Sequence, residues 1–161
     1  MSAPAAFPPV QRWRWALPPT ITRWGSRCPQ PRHIVAVSPG EVPWNDEEKA
    51  RMRALNDSDV SVDYAGLETL GKIMRYGRED VPEYMLAVSK GDFTGVGDIH
   101  FFYSADEVLY GALPEFEAAC RRAEVPYTTF ARAGMVHCYC MLPCFEEAKE
   151  DFTKIVEYLK K

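Results

Sequence analysis

The chain has 161 residues, 47% of them hydrophobic and 26% charged, with a formal net charge of −4. That length suits one domain burying roughly 68–70% of its unfolded surface, and the mild acidity offers neither a nucleic acid nor an anionic membrane a complementary partner. No apolar run approaches the roughly 18 residues of a membrane span, and the N-terminal stretch lacks the unbroken apolar core of a secretory signal, so a cytoplasmic protein is expected.

Charge is unevenly spread. Residues 1–40 hold five arginines and no acidic residue, whereas the remainder holds 14 basic against 23 acidic residues. Residues 1–32 also hold seven prolines and three of the four tryptophans, as in Pro8-Pro9, Trp13-Arg14-Trp15 and Pro18-Pro19. Each proline removes a backbone donor and restricts its predecessor, so this segment is expected to be irregular and not part of the fold. Its composition suits a basic-aromatic arm, a proline-rich ligand or an aberrant N-terminus from a shifted start or frame. The prolines count against a transit peptide, which must form an amphipathic helix.

Regular structure is predicted from His33-Ile34-Val35-Ala36-Val37-Ser38, a short apolar run closed by Pro39-Gly40 that reads as a buried strand. Asn45 or Asp46 caps a helix reaching to Leu55. A second helix is predicted from Val62 to Arg75, with Leu67, Leu70 and Met74 on one face and Gly77 as its stop. Val81 to Val88 adds a turn or two. Gly91-Asp92-Phe93-Thr94-Gly95 is turn chemistry leading into a second buried strand, Ile99 to Tyr103, whose aromatic residues Phe101, Phe102 and Tyr103 belong to the core. After Asp106, Leu113, Phe116, Cys120 and Ala123 mark a helix that Pro126 ends. Tyr127 to Ala131 is a third strand, and a final helix carries Phe145, Ala148, Phe152, Ile155, Val156 and Leu159 on one stripe. This alternation predicts parallel strands with right-handed crossovers, an α/β layer fold.

In such sheets the chemistry gathers along the carboxyl rim. Asp106 lies just past the second strand and His137 just past the third, in Gly134-Met135-Val136-His137. Neighbouring strands about 4.8 Å apart would bring the carboxylate within reach of the imidazole. A directed general base needs that pairing together with a nucleophile. No Gly-x-Ser-x-Gly occurs in the chain. Ser26 and Cys28 sit in the irregular segment, and Pro39 denies Ser38 the helix N-terminus an oxyanion hole would use, so none of the three has a nucleophile's local frame.

His33 and His100 begin strands and read as structural, and Asp92 and Asp98 read as turn stabilisers. His137, Cys138, Cys140 and Cys144 are four potential zinc ligands, but they crowd into one short segment with no second pair elsewhere, and no metal is expected. The five cysteines, an odd number, read as reduced thiols.

These features resemble the α/β-hydrolase fold, in particular the hormone-sensitive-lipase-like esterases and lipases. Tyr103-Ser104-Ala105-Asp106-Glu107-Val108-Leu109-Tyr110 stands where that family has its Asp-centred turn, and Gly134-Met135-Val136-His137 where it has its Gly-Met-x-His loop. Ile34 to Pro39, Gly91 to Gly95 and the closing helix also look like the family's C-terminal half. The resemblance covers residues 31–161. It implies a partial α/β-hydrolase fold over 33–161, C-terminal parallel strands with flanking helices, in which 45–90 is helical and cap-related. It also implies carboxylic ester hydrolysis through an acyl-enzyme with no metal or organic cofactor, His137 as general base and Asp106 as its orienting acid. The full-length family takes a small-molecule ester.

The chain departs from the family pattern in two places. Glu107 follows Asp106 where the family has proline, which leaves Glu107 as the alternative acid. The His-Gly-Gly oxyanion segment and the Gly-Asp-Ser-x-Gly elbow are absent. A truncated, lipase-like chain that is inactive alone is therefore expected. The alternative is a non-catalytic interaction module or half of a split hydrolase, with a missing N-terminal half or self-association covering the open edge of the Ile34 strand.

Overall fold

A computed structural model describes residues 31–160; the Pro/Trp/Arg-rich segment through residue 30, with Ser26 and Cys28, lies outside them. Three strands, His33–Val37 (β1), Asp98–Ser104 (β2) and Tyr127–Arg132 (β3), form one parallel sheet in the order β1-β2-β3. The connections carry helices Asp46–Ala54 (α1), Tyr64–Arg75 (α2) and Leu113–Arg122 (α3), and Glu146–Leu159 (α4) closes the chain. Parallel neighbours cannot be joined by a tight turn, so each crossover needs such helical segments. Val81 to Val88, read as a further turn or two, contains a 3-10 turn at Glu83–Met85 and begins another at Val88–Lys90.

Local chemistry sets the boundaries. Asn45 caps α1 by accepting the Glu48 N–H at 2.8 Å, and Asp46, Glu47 and Glu48 complement the positive end of the helix. Asp63 caps α2 in the same way, accepting from Gly66 at 3.1 Å. Tyr76 and Gly77, with φ of 45° and 70°, turn the chain out of α2 through the left-handed region.

β2 is the central strand, and its three consecutive aromatics divide between two cores. Phe101 and Tyr103 pack with Met52, Val108, Leu113 and Phe116 on one face. Phe102 packs with Tyr139, Cys140, Ala148 and Ile155 on the other. A strand covered on both faces reads as an unbroken apolar run, which is how it looked in the sequence. Among the described residues, β1 pairs only with β2 and so forms one edge of the sheet.

Two helical stripes differ from expectation. On α2, Leu70, Ile73 and Met74 are exposed, and the helix meets the rest of the molecule through Tyr64, Leu67 and Gly71. A Cβ at Gly71 would lie 2.7 Å from a methyl of Val42, so that contact requires glycine. On α4, Phe152 and Leu159 are exposed while Asp151 is fully buried among Ala148 and Ile155. The carboxylate displaces apolar residues from the stripe because it has partners. It accepts from the Tyr139 hydroxyl at 2.6 Å, from Lys154 at 2.7 Å and from both Nε and Nη2 of Arg132.

Asp151 thereby grips the segment between β3 and α4 at its start and middle: Arg132 is the last residue of β3, and Tyr139 lies two residues beyond His137. Burial alone would raise its carboxyl, but the hydrogen bonds from Arg132, Lys154 and Tyr139 outweigh burial and hold it down to about 2, against an ordinary 3.8. A depressed folded-state value contributes stability that is complete above the unfolded value and is lost as pH falls through the folded one. Asp151→Asn is therefore expected to lower unfolding stability at pH 7 by about 3 kcal/mol, since one partner of a buried pair is removed. The difference from the wild type should shrink in urea melts as pH falls towards about 2. Equal stabilities at pH 7 would contradict this anchor.

Candidate active site

The carboxyl ends of all three strands meet at one rim. β1 leads into Ser38, which sits in the left-handed region with φ 43°, 5% exposed, its N–H bound to Phe102 O at 2.7 Å. β2 ends at Ser104, whose hydroxyl donates to Met135 O at 2.6 Å and accepts the Asp106 N–H at 3.2 Å. β3 leads through Gly134, with φ 75°, to His137.

The acid bound to the imidazole is Glu107. Its Oε2 lies 2.7 Å from His137 Nδ1, and its side chain is 1% exposed against 28% for His137. Asp106, expected to orient His137, instead accepts the backbone N–H of Gly134 at 2.5 Å. The reason is local. Past Ser104 the chain turns, and Glu107 adopts an extended conformation (φ −88°, ψ 147°) ahead of the 3-10 turn Val108–Ala112. This brings its side chain back under the rim, where Oε1 accepts the Ser104 N–H at 3.1 Å and Oε2 is left for the histidine. Asp106 is only partly buried and faces the start of the loop. The two adjacent acids therefore hold the same loop at different points, one on its backbone and one on its imidazole.

A sequence signal for this arrangement exists in Ser104-Ala105-Asp106-Glu107. A Ser-x-x-Glu spacing lets the serine hydroxyl accept a following N–H while the glutamate returns to the serine's own N–H, as in a capping box. Ser38 also belongs to the site, although not as a nucleophile: its hydroxyl accepts the Cys138 N–H at 2.9 Å and hydrogen-bonds Glu107. Asp59 adds support from below, accepting the Val108 N–H at 2.7 Å.

The electrostatics follow from burial. Lack of solvent pushes the Glu107 carboxyl above its ordinary range, against hydrogen bonds from Ser38 and His137 that favour its charged form. When ionised, the Glu107 carboxylate can only accept, and the 2.7 Å bond then has His137 Nδ1 as its donor. The group facing Nε2 is the Cys138 thiol, at 3.2 Å. Burial raises that thiol, which favours its protonated form and makes it a poor nucleophile.

The four described cysteines are free: Cys120 and Cys140 are buried, Cys138 is partly buried and Cys144 is exposed. Cys138, Cys140 and Cys144 do not gather with His137 into a metal-sized cluster; among the described residues that grouping falls on His33, Asp98 and His100 at the other end of the sheet. Asp92 is a turn residue as expected, accepting the Thr94 N–H at 2.9 Å. Among the described residues, no helix is long and apolar enough to cross a membrane.

No protein-family model and no curated protein matches the sequence. Solved structures do match. An esterase from the bacterial hormone-sensitive lipase family superposes with a TM-score of 0.71 at 19% identity, over 86% of this chain and 46% of its own. A hormone-sensitive lipase from a metagenome library superposes with a TM-score of 0.70 at 18% identity, over 82% of this chain and 45% of its own. The chain thus spans less than half the length of these structures. Its parallel three-stranded sheet with flanking helices is part of an α/β-hydrolase fold.

Proposed function

We propose that this chain carries the acid–base arm of a serine-hydrolase-type site for carboxylic esters, with His137 as general base and Glu107 as the residue that positions it. The observation that supports this is the 2.7 Å bond between a buried carboxylate and His137 Nδ1 at the carboxyl rim of the sheet. Asp106 positions the loop that presents the histidine and is not the acid of the pair.

In this reading a serine hydroxyl from a segment outside the described residues approaches Nε2. Nε2 takes the hydroxyl proton as the oxygen attacks the ester carbonyl, and Glu107 stabilises the imidazolium. The imidazolium then protonates the leaving alcohol, and Nε2 next activates water to release the acyl group. No metal or organic cofactor takes part. Because no Gly-x-Ser-x-Gly occurs in the 161 residues, the chain by itself is inactive. The structural likeness to esterases twice its length supports a split or completed fold, and so does the apolar face of α2 formed by Leu70, Ile73 and Met74.

Two arms test the proposal. The purified chain should not turn over p-nitrophenyl acetate or butyrate. The same chain should gain turnover when it follows a segment, encoded upstream of the Pro31 codon in any frame, that carries a Gly-Asp-Ser-x-Gly elbow. That activity should fall on the order of a thousandfold or more in His137→Ala. Turnover by the chain alone that His137→Ala abolishes would overturn the claim of inactivity. A completed protein that keeps its rate without His137 would overturn the catalytic assignment, and absence of any such upstream frame would remove the shifted-frame reading.

A further inference from the structure

We propose a second site, unrelated to the ester chemistry: a divalent transition-metal site, zinc foremost, formed by His33, Asp98 and His100 at the amino end of the sheet. The parallel register creates it. His33 of β1 stands opposite Asp98 of β2, and His100 lies two residues further along β2. Paired residues on neighbouring strands share a face, and so do residues two apart on one strand, so all three side chains emerge on the side covered by α4.

The distances suit a small tetrahedral ion. His33 Nδ1 lies 3.3 Å from His100 Nε2 and 3.8 Å from Asp98 Oδ2, and one ligand atom from each residue falls within 4.8 Å of the others. With zinc–nitrogen bonds of about 2.0–2.1 Å, neighbouring ligands of a tetrahedron stand about 3.3–3.4 Å apart, which the His33–His100 spacing already matches and the His33–Asp98 spacing exceeds by about half an ångström. Two imidazoles and a carboxylate are the donors that borderline divalent ions prefer.

The surroundings add orientation and access. His100 is 4% exposed and stacks on Tyr158 of α4, with ring centroids 3.5 Å apart and an interplanar angle of 17°, which holds the ring in one plane. His33 and Asp98 are 19% and 46% exposed at their side chains, so an ion can enter from solvent and keep water as a fourth ligand. Without an ion, the two ring nitrogens lie within hydrogen-bond reach of each other. Metal binding would join the first residue of β1 to the start of β2. At about 3.3 Å per residue along β2, this site lies about 13 Å (His100) to about 20 Å (Asp98) from Ser104, so it can be altered without touching the Glu107–His137 pair.

The test uses the full chain, zinc titration by calorimetry and cobalt(II) absorption. One equivalent of zinc is expected to bind and raise the thermal midpoint, with a cobalt spectrum lacking the near-ultraviolet band of thiolate ligation. His33→Gln should weaken binding on the order of 100-fold, and Asp98→Asn, the more exposed position, should weaken it in the same direction. Cys138→Ser should leave it unchanged, which separates this site from the thiols near His137. Circular dichroism checks that each variant is folded. No binding, binding that survives both His33→Gln and Asp98→Asn, or a thiolate band in the cobalt spectrum would overturn the proposal.

Discussion

A carboxylate almost without solvent must be given partners, and those of Glu107 come from the ends of all three strands. Ser104 at the end of β2 supplies a backbone N–H, Ser38 past β1 a hydroxyl, and His137 past β3 its imidazole. Leaving any of these groups unpaired in a buried setting would cost about 1–3 kcal/mol. The carboxylate therefore ties the three rim loops together. The sheet order makes this possible, because β2 is central and puts Glu107 between the other two strand ends. β2 in turn is central because its alternating aromatics fill both cores.

The loop carrying His137 is held along its length by different kinds of contact. Asp106 takes the backbone of Gly134, Ser104 bonds the carbonyl of Met135, Ser38 takes the N–H of Cys138, and Asp151 binds Tyr139 just beyond. The imidazole of His137 is thus held by contacts to its loop on both sides of it. Much of the polar chemistry in this half of the molecule serves that purpose. Asp151 explains why an acid is buried in the middle of an otherwise apolar helical stripe.

Element order and parallel topology were legible because periodicity and turn residues report local physics: Pro39-Gly40, Asn45, Gly77 and Pro126 each fall at a boundary. The position of His137 past the third strand was legible too, since it follows that strand in a glycine turn. The choice between Asp106 and Glu107 was not. The Ser104-x-x-Glu107 spacing carries a signal for Glu107, but which of two adjacent acids turns inward is set by the backbone of the turn after Ser104, which helical and strand periodicity do not report. The grouping of His33, Asp98 and His100 was equally hidden, because strand register alone unites residues so far apart in the chain. Phe152 and Leu159 joined the predicted α4 stripe on hydrophobicity, whereas Asp151 is buried through Arg132 and Tyr139, partners that a helical pattern does not register.

The central claim is that Glu107, and not its neighbour, fixes the imidazole of His137. Nuclear magnetic resonance of the imidazole nitrogens tests it most directly. The wild type and Asp106→Asn should both show a slowly exchanging Nδ1 proton on His137, and Glu107→Ala should lose it. Loss of that proton in Asp106→Asn with its retention in Glu107→Ala would contradict the account.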